Sequence, residues 1–239
     1  MSEPSAGPRR VLVTGASGDL GRAVVEACAA RGDEVVAQVH SRPGAWTSGA
    51  VTVAKADLCA PDGVTSLVGA LPGHWTGLDL LVNCVGGARP AALEELRAED
   101  WRACMQLNVE VPFLVLQACV ALLERASGSV VNMSSVVAFT GGAFGPHYAA
   151  AKAAVIGLSR SAARDLGPRG IRVNSLAPGP VDSAMTDALD PAVTAGLVAA
   201  TALRRVVSPA EVAQTVLWLA SSSAVTGQSL VVDGGRVLR

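Results

Sequence analysis

Seven short apolar runs punctuate the chain, with helical stretches between them. The runs are residues 11–14, 35–39, 51–54, 78–82, 130–133, 171–175 and 230–232. Most are rich in valine or leucine, and they are near-continuous rather than alternating, the pattern of strands buried on both faces. Helical patterns fill residues 20–30, 62–71, 91–125 with a break, 148–166 and 209–220. Strands that alternate with helices are joined by crossovers, so they pair in parallel under helices on both sides. The 239 residues suit one such domain. The expectation is therefore an α/β fold: a doubly wound, seven-stranded parallel sheet in a single domain over residues 9–239, after a disordered tail at 1–8. An Ala-rich stretch between Pro-containing loops, residues 184–206, suits a mobile lid.

Composition removes several classes of partner. The formal net charge is −1 and no basic face is sustained, which argues against nucleic acid. The apolar run at 111–123 holds Pro112 and Gln117 and is too short to cross roughly 30 Å of hydrocarbon. Residues 1–10 are polar and contain two prolines, unlike a secretory signal. Cys28, Cys59, Cys84, Cys104 and Cys119 form no CxxC pair, so reduced, buried thiols in a cytoplasmic protein are expected. His40, His74 and His147 lack metal-ligand spacing, and no catalytic metal is expected. His74 reads as a surface residue, His147 as a pocket border, and Trp75, Trp101 and Trp218 as packing residues.

The first strand runs into Thr14-Gly15-Ala16-Ser17-Gly18-Asp19-Leu20-Gly21, which opens the first helix. Glycines there permit a tight turn and close approach of a pyrophosphate to backbone, and the helix N-terminus favours its charge. This is the setting of a dinucleotide-binding, Rossmann-type turn. The second strand ends in His40-Ser41-Arg42, without the carboxylate that usually holds a ribose 2′-hydroxyl. These three side chains suit a 2′-phosphate, so NADP(H) is expected to be preferred, with NAD(H) possible.

The chain's sole tyrosine, Tyr148, lies four positions before Lys152, one of only two lysines. On a helix the two share a face. A phenol with a reference pKa of about 10 is a poor acid–base group at neutral pH, and a nearby ammonium is expected to lower that value. Ser135, at the carboxyl end of the fifth strand, can hold a substrate oxygen. Ser134 is its rival, but side chains alternate along a strand and only one of the two faces the site.

Thr14 to Gly21, Asn83-Cys84-Val85-Gly86, Asn108, Asn132-Met133-Ser134-Ser135, Tyr148 to Lys152, Pro178-Gly179 and the ending Thr226-Gly227-Gln228 … Asp233-Gly234-Gly235 follow one order and spacing. Over about residues 10–235 the chain resembles the short-chain dehydrogenase/reductases, most closely their 3-oxoacyl-carrier-protein reductase group. The resemblance implies Tyr148 as proton donor in reduction, or base in oxidation. Lys152 would tune it and hold the nicotinamide ribose, Ser135 would orient the carbonyl, and Asn108 would complete a tetrad through a water on its main-chain carbonyl. Pro112 has no N–H to give that carbonyl, so a helix distortion is expected there. For the cofactor, the resemblance implies Gly15, Ser17, Gly18, Asp19, Leu20 and Gly21 at the turn. Asp57 and Leu58 would lie at the adenine, Asn83, Val85 and Gly86 beside the adenosine, and Pro178, Gly179, Val181 and Ser183 at the nicotinamide amide. It also implies a homodimer or homotetramer through the long helices holding Asn108 and Tyr148 and through the last strand.

Two departures stand out. Asp19 occupies a family glycine position, where it can cap the helix but repels a pyrophosphate. The Asn-Asn-Ala-Gly segment becomes Asn83-Cys84-Val85-Gly86. The leading reading is an NADPH-dependent ketoreductase for a small-molecule or acyl-carrier ketone. The apolar lid around Met185, Leu189 and Leu197 and the loop 139–144 favour an apolar or acyl substrate. The alternatives are a dehydrogenase for a secondary alcohol such as a sugar or cyclitol, and a scaffold that binds cofactor without turnover.

Overall fold

A computed structural model describes residues 7–238 apart from 42–45, 47–48, 143 and 188, and apart from the side chain of Met185. Arg42, the Met185 side chain and the first six residues of the expected tail lie outside the described residues. The element order is β1 (Arg10–Thr14), α1 (Asp19–Ala30), β2 (Glu34–Val39), β3 (Val51–Lys55), α2 (Gly63–Gly69), β4 (Leu80–Asn83) and α3 (Ala98–Met105). There follow α4 (Val111–Ala126), β5 (Ser129–Met133), α5 (Val137–Thr140), α6 (Pro146–Leu166), β6 (Arg172–Pro178), α7 (Ala184–Asp187), α8 (Pro191–Ala199), α9 (Pro209–Ser221) and β7 (Ser229–Val232). All seven strands pair in parallel, in the order β3-β2-β1-β4-β5-β6-β7. This is the Rossmann-type doubly wound sheet that the alternation implies.

Strand alternation feeds two cores. Val11, Val13, Leu80, Val82 and Val131 pack on one face of the sheet with residues of α1 and α9. Leu12, Leu81 and Val130 pack on the other, against residues of α2, α4 and α6. Successive strand side chains point to opposite faces, so a strand apolar at every position serves both layers. Helix ends follow local chemistry. Ser208 accepts from the Glu211 backbone N–H while the Glu211 carboxylate accepts from the Ser208 N–H, a reciprocal cap with Pro209 at the first helical position.

The structure revises several expectations. The helix expected from residue 91 begins only at Ala98, and its break is a π-helical turn, Gln106–Glu110, inside a continuous run. In that turn the Val111 N–H bonds the Gln106 carbonyl, five residues back, just before Pro112. The distortion expected from the proline is therefore present, with Asn108 inside it. The whole run, Ala98–Ala126, is long and apolar enough by length and composition to cross a membrane. Here Val111, Val115, Cys119 and Leu123 bury its apolar face on the sheet. Trp75 is buried as expected, but Trp101 and Trp218 are 40% and 52% exposed. They face outward because their helices, α3 and α9, bury the opposite side.

The strand order reverses between β1 and β4, so their carboxyl ends diverge into a crevice. Every loop that carries a candidate site residue opens at this end.

Candidate active site

The glycine turn forms the nucleotide side of the crevice. Gly15 has φ +63, and a Cβ there would lie 2.7 Å from the Val85 backbone. A Cβ at Gly21 would lie 2.3 Å from the Gly15 carbonyl oxygen, so α1 can start this close only with glycine. Gln38 fixes the turn from below. Its Oε1 accepts from the Gly15 N–H at 2.8 Å, and its Nε2 donates to the Ala56 carbonyl at 2.8 Å. The sequence reading missed Gln38. Its one signal was a polar residue inside the apolar run Val35–Val39.

A polar row crosses the sheet beneath the site. Thr14, Asn83, Asn132, Ser175 and Ser229 are register partners on five adjacent strands. Thr14 Oγ1 donates to Asn83 Oδ1 (3.3 Å), Asn83 Nδ2 to Asn132 Oδ1 (2.9 Å), and Asn132 Nδ2 to Ser159 Oγ on α6 (3.0 Å). Ser175 and Ser229 share a hydroxyl bond of 2.7 Å. Buried polar groups need such partners. Asn83 therefore shapes the nucleotide turn from inside the sheet, and its amide does not line the cavity.

Both serines line the cavity, and their hydrogen bonds tell them apart. Ser134 is buried and its Oγ donates to the Lys152 carbonyl at 2.8 Å, anchoring α6 to β5. The Ser135 Oγ accepts from the Val137 N–H at 3.4 Å, which leaves its own proton to give. Tyr148 and Lys152, on α6, line the same cavity, with Lys152 Nζ 5.5 Å from the Tyr148 ring centroid. Lys152 Nζ donates to the Met133 carbonyl at 2.9 Å. Phe144 meets the Tyr148 ring edge-on at 5.5 Å.

Asn108 is fully buried. Its Oδ1 accepts from the Gly87 N–H (3.1 Å), and its Nδ2 donates to the carbonyls of Gly87 (2.8 Å) and Cys104 (2.9 Å). The side chain clamps the loop after β4. A Cβ at Gly86 would lie 2.7 Å from Asn108 Oδ1 and 2.9 Å from Lys152 Nζ, so this glycine lets the loop close over both.

Burial sets the electrostatics. It pulls the Lys152 ammonium down from 10.5 to about 8, against the raising influence of Cys84 and Cys104. It pushes the Tyr148 phenol above its ordinary value, helped by the neighbouring Cys104. The expected lowering of the phenol by Lys152 is not found in this geometry, because desolvation dominates both groups. Tyr148 is thus held as a neutral phenol, the form that donates a proton. Burial also pushes the Cys84 thiol up to about 12.

The cavity measures about 330 Å³ and runs from Gly15, Gly18, Leu20 and Gly21 to Ser135, Tyr148 and Lys152. Gly86, Pro178, Gly179, Val181 and Ser183 line it as well. Leu189 and Leu197, from the segment after β6, complete its apolar wall. Asp19 lines it too, whereas the remaining described candidates lie outside it. Ser17, His40, Ser41 and Asp57 are exposed. Leu58 is a core residue, and Val85 packs against the same core beside Gly15. Asp57 stands 3.7 Å from His40 Nδ1, so a carboxylate reaches the end of β2 from its neighbour strand. Asp19 does not cap α1 with its side chain. Its Oδ2 accepts from the Ala184 N–H at 2.9 Å, joining the glycine turn to the first residue of α7. His147 is buried beside Tyr148, off the cavity, and its Nδ1 has no partner among the described residues.

This arrangement fits a dinucleotide. The glycines leave bare backbone at the start of α1, and the crevice leads from there to a lysine and a tyrosine at the other end. Among the described residues no cluster of histidine, cysteine or acidic side chains could hold a metal.

Comparison with known proteins agrees. A family model described as enoyl-(acyl carrier protein) reductase matches residues 15–236. The 3-oxoacyl-(acyl-carrier-protein) reductase of Vibrio cholerae is 34% identical over 232 residues, 94% of this chain and 95% of its own. That of Thermotoga maritima is 35% identical over 238 residues, covering 95% and 97%. Nodulation protein G of a Rhizobium species is 34% identical over 237 residues, covering 95% and 96%. Likeness that spans nearly both chains, on this fold, makes the protein a member of the short-chain dehydrogenase/reductase family, oxidoreductases that use NAD(P)(H).

Proposed function

We propose that the protein reduces a ketone to a secondary alcohol, with NADPH as the preferred cofactor and an acyl-type substrate, free or carrier-bound. The observation that carries this reading is the convergence of Ser135, Tyr148 and Lys152 on one mainly apolar cavity, with Tyr148 held as the neutral acid. Gly15, Gly18, Leu20, Gly21 and Gly86 would hold the cofactor at one end, and Gly179, Val181 and Ser183 at the other. When bound there, reduced nicotinamide supplies a hydride to the carbonyl carbon.

The chain's own residues do the rest. The Ser135 hydroxyl holds the carbonyl oxygen. The Tyr148 phenol donates its proton to that oxygen as negative charge develops. Below about pH 8 the Lys152 ammonium stabilises the phenolate left behind, and its bond to the Met133 carbonyl keeps it in place. Leu189, Leu197 and Phe144 exclude water from the reacting atoms. The names of the relatives from Vibrio and Thermotoga support an acyl-carrier substrate. The absence of a carboxylate at residues 40–42 supports NADPH, while Asp57 beside His40 favours NADH.

A homodimer or homotetramer through α4, α6 and β7 belongs to this reading. Phe113, 41% exposed on α4, supports it. NADPH consumption over acyl-thioester, cyclic and aromatic ketones tests the function, with Tyr148→Phe as control. Turnover unchanged in that control removes the mechanism, and a higher kcat/KM with NADH removes the cofactor preference.

A further inference from the structure

Two charged residues that line the cavity have no task in this mechanism: Asp19, which is bonded to the Ala184 N–H, and Arg236. Arg236 follows β7, at the edge of the sheet opposite β2 and β3. That places it on the side of β6 and the lid, away from the adenosine end.

The turn that presents Arg236 is built. Asp233, 5% exposed, accepts from the Gly235 N–H at 2.9 Å and from the Val237 N–H at 2.7 Å. One carboxylate therefore fixes the backbone on both sides of residue 236. Gly235, at φ +77, lets the turn press against Ala202, where a Cβ would lie 2.8 Å from the Ala202 Cβ. The Leu203 N–H donates to the Gly234 carbonyl at 2.9 Å. Against this fixed backbone the side chain is half-buried and has no hydrogen bond or ion pair among the described residues. Arg89, Arg102, Arg160 and Arg164 also have none there, but they are exposed to water. A half-buried arginine that lines the same cavity as Leu189 and Leu197, with no partner among the described residues, has donors to offer an anion.

We propose that Arg236 binds an anionic end group on the substrate, so that the ketone is amphipathic: an apolar segment against the lid and a carboxylate or phosphate on Arg236. The inference rests on the ketoreductase reading for the word ketone, but not for the anion site. Two sources share this chemistry, the carboxylate of a small oxo-acid and the phosphate of a carrier's pantetheine arm.

Two pairs of substrates distinguish them: 5-oxohexanoate against its methyl ester, and acetoacetyl-4′-phosphopantetheine against acetoacetyl-pantetheine. The wild type is expected to favour the charged member of one pair by at least about tenfold in kcat/KM, corrected for intrinsic reactivity, since 1.4 kcal/mol is a factor of ten. Arg236→Met brings that ratio near one, and Arg236→Lys restores part of it. Which pair responds names the source. Calorimetric binding of hexanoate against hexanamide, and of phosphopantetheine against pantetheine, reads the anion site without turnover. Charge-selective binding lost in Arg236→Met upholds the site even if no ketone is reduced, and that failure then falls on the proposed function alone. The inference is overturned if neither turnover nor binding distinguishes the charged member, or if Arg236→Met leaves the charged-to-neutral ratio as in the wild type.

Discussion

Replacing Lys152 with methionine is expected to stabilise the protein at neutral pH relative to alkaline pH, while destroying activity. Folding withdraws the ammonium from water and takes its pKa from 10.5 to about 8. At about 1.36 kcal/mol per tenfold change, this is a penalty of about 3 kcal/mol. The sign follows from proton counting. Between these two values the unfolded chain holds a proton that the folded chain has released, so stability rises with pH. The penalty is fully present below about pH 8 and gone above 10.5. Between pH 7 and about 9.5 the wild type should therefore gain about 2 kcal/mol over Lys152→Met. Two buried neighbours stay protonated over this range. Burial holds the Cys84 thiol up to about 12 and keeps the Tyr148 phenol above its ordinary value. The Met133 carbonyl loses its donor in the variant at every pH, so that loss cancels in the difference. Urea unfolding of both proteins at the two pH values is the assay. A wild-type-minus-variant difference that does not move with pH, or moves the other way, refutes the claim that desolvation governs this lysine.

Three further outcomes follow from the geometry. Because Tyr148 is the only tyrosine, absorbance at 295 nm reports it alone: near pH 10 the native ligand-free protein should show much less phenolate than the same protein in denaturant, and Tyr148→Phe should show neither this signal nor reduction above about 1% of the wild-type rate. Ser135→Ala should cost about 100-fold or more in kcat with little change in stability, whereas Ser134→Ala should cost about 1 kcal/mol of unfolding free energy from its lost bond to the Lys152 carbonyl; the reverse pattern in paired kinetics and denaturation would exchange their roles. Asp19→Gly should raise hydrogen exchange at the Ala184 amide and tighten NADPH binding, measured by exchange mass spectrometry and fluorescence titration, because it removes both the bond to the lid and a negative charge at the start of α1.

The sheet was legible in the sequence because its central strands, β1, β4, β5 and β6, are buried almost throughout, so most strands were written as short runs dominated by apolar residues. Helix starts were less so. Residues 91–97 have helical composition but form only a single turn, closed by the Glu95 N–H on the Ala92 carbonyl, and Glu99 and Asp100, in the first turn at Ala98, mark the true start. Local spacing brought the candidates together: Tyr148 and Lys152 needed only a helix to reach one cavity, which Ser134 and Ser135 also line just past the end of β5. Long-range contacts were not legible. Gln38 bonds across 23 residues to Gly15, Asn132 across 27 to Ser159, and Asp19 across 165 to Ala184. The direction of the Tyr148 shift failed for a related reason. The attraction of a nearby lysine is a local fact, whereas the desolvation that outweighs it depends on the whole fold.

The polar row from Thr14 to Ser229 gives the sheet a means of error detection. Parallel strands made almost wholly of valine and leucine offer many apolar pairings of similar energy, and a slip of two residues keeps each side chain on its proper face. From β1 to β7 the row marks the native alignment, as Gln38 does for β2, because any slip separates Thr14, Asn83, Asn132 and Ser175 from their partners while they remain buried. A mispaired sheet is thus penalised at the level where β1, β4 and β5 hand the chain to the catalytic loops. The alignment of those loops is inherited from the sheet, so the same buried polar bonds that set strand register also set the register of the site.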